Sequence, residues 1–217
     1  RVVEIPGFTD TIGHWAAGAI NQWQYYKVIN GNAGKFMPDQ PITRRDFAVV
    51  INNLMKLYGL SVNSFSDLEL NQYYTVPLLK ANAAGLMVGS EGKIRPHDNI
   101  TREEAVVVLC RAFKIDPKIG LIKFTDGSKV SDWAYEYVKA MADLGYIKGS
   151  GNLFRPKEVI SRAEVVTILN NMVGAYYTAS GEYMNTYIGN GLVVSNNIIA
   201  SNTNVVGNIY IAQGMRS

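Results

Sequence analysis

Ile100-Thr101-Arg102-Glu103-Glu104 decides the fold, because the chain repeats the phrase twice, as Ile42-Thr43-Arg44-Arg45-Asp46 and Ile160-Ser161-Arg162-Ala163-Glu164. Setting Thr43, Thr101 and Ser161 in register gives separations of 58 and 60 residues. The same offsets superpose Pro38, Pro96 and Pro156, then Phe36, Ile94 and Phe154, then Gly31, Gly89 and Gly149. A period of this length means one architectural unit used three times, with neighbouring copies burying each other's apolar faces.

Working outward, each copy opens on an aromatic, a hydroxyl and an acid: Phe8-Thr9-Asp10, Phe65-Ser66-Asp67 and Phe124-Thr125-Asp126. A second aromatic follows, Trp15, Tyr73 or Trp133, and starts an apolar pattern of helical spacing: Ile20 with Trp23, Leu78 with Ala81, Val138 with Met141. This predicts a first helix, with Pro77 in the first turn of the middle copy, where a missing N–H costs least. The helix is expected to stop at Gly31, Gly89 and Gly149, where glycine permits a left-handed turn or a close backbone approach. A short loop with a buried Phe36, Ile94 or Phe154 and a rigid proline then leads to a second helix. Its stripes are Phe47, Val50, Ile51, Leu54 and Tyr58; Ala105, Val108, Leu109 and Ala112; and Val165, Ile168, Leu169 and Met172. All are expected in the core.

After Gly174 charges nearly vanish, Asn and Gly become frequent, and short β-prone runs follow, such as Gly191–Val194 and Val205–Ile211. Their rhythm is that of the first rung or two of a right-handed parallel β-helix, and the natural chain is expected to continue past Ser217.

Composition narrows the function. Hydrophobic content of 47% against 18% charged suits a folded body, so disorder is not expected. The net charge is only +3, no run of Lys and Arg forms a basic arm, and the 13 Tyr are scattered, which argues against nucleic acid. No stretch approaches ~18 uninterrupted apolar residues, so no membrane insertion is expected. Arg1 to Pro6 lack the ordered charged, apolar and small-residue segments of a signal peptide. Cys110, the single cysteine, reads as a small buried apolar residue. His14 and His97 have no Cys or second His at ligand spacing, so neither a metal nor a cofactor is expected.

The repeated phrase has two readings. Thr43, Thr101 or Ser161 with Asp46, Glu104 or Glu164 three residues on has the form of a capping box. That leaves the arginine unexplained, since a cation in the first turn opposes the helix dipole at a cost of roughly 0.3–1 kcal/mol. Arg44, Arg102 and Arg162 make sense if an anion sits there, receiving a guanidinium fork and the free N–H groups of the helix start. The competing reading is an internal salt bridge, most simply to Asp10, Asp67 or Asp126. Trp15 and Trp133 are read either as core aromatics or as an apolar face suited to sugar rings.

Taken together these columns resemble the S-layer homology (SLH) family in three tandem copies, over roughly residues 5 to 174. The resemblance implies a mainly α fold, a pseudo-threefold spindle with one helix per repeat in a central bundle and three outward prongs. Its repeats would span 5–62, 63–121 and 122–174, followed by a β-rich segment at 175–217. It implies a non-catalytic anchor at the bacterial cell surface that binds secondary cell-wall polymer, typically through a pyruvylated N-acetylmannosamine. Arg44, Arg102 and Arg162 would then meet the pyruvate carboxylate, with Gly31, Gly89 and Gly149 where backbone N–H groups approach it. Trp15, Tyr73 and Trp133 would border the sugar, and Asp10, Asp67 and Asp126 would bond hydroxyls or orient the arginines. The chain departs from the family pattern at Tyr73, at Arg45 with Asp46, and at Ser161, which implies unequal grooves.

Two other classes stay open. A self-assembling surface-lattice component would use the β segment for contacts. An enzyme could use carboxylates such as Asp10 and Glu104 as an acid and base pair, but the sequence has no nucleophile elbow, phosphate loop or metal cluster to go with them. Catalysis would then belong to a larger polysaccharide-active chain for which these repeats are the anchor.

Overall fold

Six α-helices stand among the described residues where the two stripes of each repeat place them: α1 (Ala17–Tyr25), α2 (Arg44–Met55), α3 (Thr75–Ala83), α4 (Arg102–Phe113), α5 (Asp132–Asp143) and α6 (Arg162–Met172). The computed structural model describes residues 7–178, 181–183, 186–188, 190–195, 198–200 and 204–212. Pro77 is the third residue of α3, in its first turn. Every predicted stripe residue is buried except Tyr58, which lies past the end of α2 and is exposed. The reason is local: Lys56 takes a left-handed conformation that ends the helix and turns the chain outward.

The expected stop of each first helix is also shifted. α1, α3 and α5 end six residues before Gly31, Gly89 and Gly149, and the left-handed turn falls at Lys27, Gly85 and Gly145, which share one column of the repeat. Gly31 and Gly89 serve close approach instead, while Gly149 has both, a left-handed φ of 68° and a Leu153 carbonyl 2.5 Å from where a Cβ would stand. A Cβ at Gly89 would lie 2.6 Å from the Lys93 carbonyl and run into the Phe65 ring, and one at Gly31 would run into the Phe8 ring.

The chain divides into two compact units, Pro41–Ile160 and the combination of Arg1–Gln40 with Ser161–Ser217. In the first, α2 packs on α3 and α4 on α5; in the second, α1 packs on α6. Every pair therefore joins the second helix of one repeat to the first helix of another. Within Pro41–Ile160 the three signature isoleucines close a ring of backbone hydrogen bonds, Ile42 N–H to Ile160 C=O, Ile100 to Ile42 and Ile160 to Ile100, at 3.0–3.1 Å. α4 is buried nearly all round, from Arg102 and Glu103 to Ala112 and Phe113. Cys110 lies inside it, where burial pushes its thiol up to about 12.

In the other unit α6 runs straight into β1 (Val173–Tyr177). It is followed by β2 (Gly181–Tyr183), β3 (Thr186–Ile188), β4 (Asn190–Val193), β5 (Ile198–Ala200), β6 (Asn204–Val206) and β7 (Ile209–Ile211). All pairings are parallel, β1–β4–β7, β2–β5 and β3–β6, with partners 16 to 18 residues apart. Buried Asn190 joins helix to strands, its Nδ2 donating to the Met172 carbonyl at the end of α6 and its Oδ1 accepting from Asn208 N–H. Trp23 of α1 meets the Tyr176 ring of β1 edge-on, with centroids 5.6 Å apart. No helix among the described residues is long and apolar enough to cross a membrane.

Candidate functional site

Each repeat builds the same cradle from its opening acid and its loop. Asp67 accepts from the Ile94 and Arg95 N–H groups at 2.9 and 2.8 Å; Asp10 does so from Phe36 and Met37, and Asp126 from Phe154 and Arg155. Met37, Arg95 and Arg155 all have φ between 56° and 58°, a conformation unfavourable for side chains of that size, and the carboxylate holds it in place. Burial works against ionisation of Asp10 and Asp126, but their paired backbone N–H donors outweigh it and hold both below the ordinary carboxylate range.

The carbonyl of the same loop peptide then receives the signature arginine of another repeat. Arg44 Nε donates to Ile94 C=O at 3.0 Å, Arg102 Nε to Phe154 C=O at 2.7 Å, and Arg162 Nε to Phe36 C=O at 2.8 Å. Arg102 and Arg162 also lie over the faces of Phe154 and Phe36. Thus the acid sets the loop, and the loop sets the arginine. The predicted ion pairs to Asp10, Asp67 and Asp126 do not form: the acids accept from backbone N–H groups, and the arginines reach the loop carbonyls instead.

The helix starts also differ from expectation. Their first two N–H groups are not free: Arg44 and Arg45 donate to Asp98 and Pro96 carbonyls, Arg102 and Glu103 to Glu158 and Pro156, Arg162 and Ala163 to Gln40 and Pro38. Thr101 with Glu104 and Ser161 with Glu164 form full capping boxes. Thr43 accepts from Asp46 N–H, but the shorter acid instead accepts from Tyr73 Oη at 2.7 Å.

One groove lies wholly within Pro41–Ile160 and draws on three repeats. It encloses about 170 Å³ between Arg44 of the first repeat, Val88, Arg95, Glu104 and Arg111 of the second, and Trp133 of the third, over a floor of Leu86, Met87, Val107 and Val108. Arg44 is only 5% exposed. Its Nη1 reaches Glu104 Oε1 at 3.2 Å, and Arg95 Nη2 reaches the same oxygen at 2.9 Å. Burial tends to raise the Glu104 carboxyl, yet the Thr101 N–H and the two guanidiniums hold it below its ordinary value. Three arginines against one glutamate leave the lining at a formal +2. The groove therefore combines a net positive lining with an apolar floor and an indole at its side.

Trp133 is 53% exposed and shares this groove with Arg44, while Trp15 and Tyr73 are also largely exposed, 64% and 63%. Trp15 sits beside the His14 ring in the unit containing α1, and Tyr73 packs near Arg45. Sequence reading missed Arg95 and Arg111 as groove residues. Their signals were present: Arg95 follows Ile94, the buried apolar residue of the loop, and Arg111 lies seven residues after Glu104, on the same helix face. Among the described residues no cluster of three His, Cys, Asp or Glu could hold a metal.

The S-layer homology domain model matches residues 7–48, 64–106 and 123–166. The chain is similar to the exoglucanase XynX of Acetivibrio thermocellus, 30% identical over 174 residues, covering 76% of this chain and 16% of that protein. It is similar to the S-layer protein sap of Bacillus anthracis at 26% over 162 residues, covering 72% and 20%. The cellulosome-anchoring protein of Acetivibrio thermocellus is 31% identical over 155 residues, covering 63% and 33%. The chain spans about a third or less of the length of each of these relatives.

Proposed function

The chain belongs to the S-layer homology domain family, and from that premise we propose that its three repeats fasten a surface protein to the secondary cell-wall polymer by gripping an acidic sugar, a pyruvylated N-acetylmannosamine. S-layer homology domains are non-catalytic modules of cell-surface anchoring. The observation that carries the finer reading is the groove around Arg44, whose lining has a formal charge of +2 and sets Trp133 beside an apolar floor. A pyruvate ketal places a carboxylate on a sugar ring, so one ligand engages both the guanidiniums and the indole. We take the three repeats as a pseudo-threefold spindle with Trp15, Tyr73 and Trp133 on the groove walls, Arg102 and Arg162 as the counterparts of Arg44, and Gly31, Gly89 and Gly149 beside the ligand. The parallel strands after α6 are read as the opening coils of a β-helix. An anchor of this kind accounts for relatives named both as S-layer proteins and as an exoglucanase.

Calorimetric titration with a short pyruvylated ligand and its depyruvylated form tests this directly. Pyruvylated ligand should bind and the neutral form should lose most of its affinity. Arg44→Ala should weaken binding by about 1.5–3 kcal/mol, the usual worth of a charge-assisted bond. Equal binding of both forms would remove the anion from the mechanism; failure of either to bind, with self-association retained, would favour a surface-lattice component instead.

A further inference from the structure

We infer that the Arg44 groove is built for two anionic groups, with Arg111 as the second anion contact, so that its ligand is an acidic disaccharide carrying a charge on each sugar. This rests on reading the groove as a glycan site. The groove runs along one face of α4, where Glu104, Val107, Val108 and Arg111 all line it. Those positions are i, i+3, i+4 and i+7, so the face extends over two helical turns, roughly 10 Å at 1.5 Å per residue. That length is comparable with two linked sugars.

The two ends carry separate positive charge. At one end Arg44 and Arg95 share Glu104 Oε1, and Arg95 also lies 4.0 Å from Asp98 Oδ2, an acid outside the groove lining, so within the lining two cations face one carboxylate. At the other end Arg111 is exposed, and its polar contact is a long one, Nη1 to the Leu86 carbonyl at 3.5 Å. No acid among the described residues pairs with it. Between the ends the floor is aliphatic, Val107 and Val108, and offers no hydrogen-bonding group of its own side chains to a bridging sugar. A single carboxylate at the Arg44 end would leave Arg111 unused.

Repeat register makes the arrangement particular to this groove. The columns of Arg44, Arg95 and Arg111 read Arg102, Arg155 and Asn171 in the next copy and Arg162, Met37 and Asn53 in the remaining one. Only the first set has a cation in all three columns. Arg111 is thus a specificity residue, while Arg44 is common to all three sets.

The test uses the whole chain and two soluble probes, pyruvylated N-acetylmannosamine linked to a neutral hexose and the same unit linked to a uronic acid. The parent should bind the second probe about tenfold or more tightly, the gain expected from one added charge-assisted contact. Arg111→Gln, which removes the charge while leaving most of the side chain, should erase that preference and weaken the second probe far more than the first. Equal binding of the two probes by the parent overturns the two-anion groove while leaving the anchor reading intact. A preference that survives in Arg111→Gln, or a variant whose only change is a lower melting temperature, makes Arg111 a helix-end charge and nothing more. Binding of neither probe overturns the anchor reading and this inference together.

Discussion

At the residue scale, the repeated glycines and acids are explained by what they do inside the protein. Gly89 has no room for a side chain, since the Phe65 ring and the Lys93 carbonyl close over it. Gly89→Ala should therefore cost about 1–3 kcal/mol, the usual range for forcing an extra methyl into packed surroundings. Gly18, inside α1 with open space within 4 Å of where a Cβ would stand, is the contrasting case. There Gly18→Ala should stabilise by about 0.4–1 kcal/mol through the unfolded chain, and urea unfolding of both variants checks the pair. Asp126 works through its charge and its two oxygens. Its folded carboxyl sits below the ordinary value, so the stability it contributes is fully present above the unfolded carboxylate range and is lost as pH falls through the lower folded value. Asp126→Asn can satisfy only one of the Phe154 and Arg155 N–H donors with its single oxygen in the same geometry. It should lose about 1–3 kcal/mol at neutral pH and show a flatter decline of stability on acidification, measured by urea unfolding across acid pH.

At the scale of elements, the three second helices start in the same way but are keyed differently. The residue after the signature arginine faces the residue after the loop proline of another repeat. Arg45 meets His97 Nδ1 at 2.8 Å, whereas Glu103 accepts from Lys157 Nζ at 2.6 Å. Glu103 is buried and also accepts from Ser131 N–H and Oγ, so it both pairs with Lys157 and caps the start of α5. In the third position Ala163 is neutral, and Asp39 pairs instead with His14 within its own repeat. Because Glu103 is buried, Glu103→Gln should cost about 1.5–3 kcal/mol, the range for hydrogen bonds to a charged group. Lys157, half in solvent, should cost less when changed to Met. A double-mutant cycle on Glu103 and Lys157 should give a positive coupling energy, and additive losses would show that Glu103 acts on α5 alone.

At the scale of the whole molecule, the main helix pairs among the described residues each join two repeats. α2 rests on α3, α4 on α5 and α6 on α1, so an isolated copy would have two helices and none of the partners they pack against. The backbone ring of Ile42, Ile100 and Ile160 needs all three signatures at once. A single repeat such as residues 63–121 should accordingly show little helix and no cooperative urea transition, whereas the full chain unfolds cooperatively. A sharp transition in the isolated repeat, seen by circular dichroism, would overturn the shared-core architecture.

The six helices, the side-chain caps of α2, α4 and α6, their buried stripes apart from Tyr58, and the change to strands after α6 were legible in the sequence, because period, capping chemistry and composition act over a few residues. Three copies also made the columns visible, so the arginines, glycines and acids could be singled out without coordinates. What those residues do to one another was settled by tertiary structure. The arginine reaches a carbonyl 50 to 126 residues away, and the acid binds backbone rather than cation. No local pattern encodes which carbonyl will be in reach. The same holds for the groove, where Arg44, Arg111 and Trp133 come from three repeats and meet only because helices pair across repeat boundaries. Local propensity determines the elements; the site depends on long-range packing, which brings side chains together irrespective of their distance along the chain.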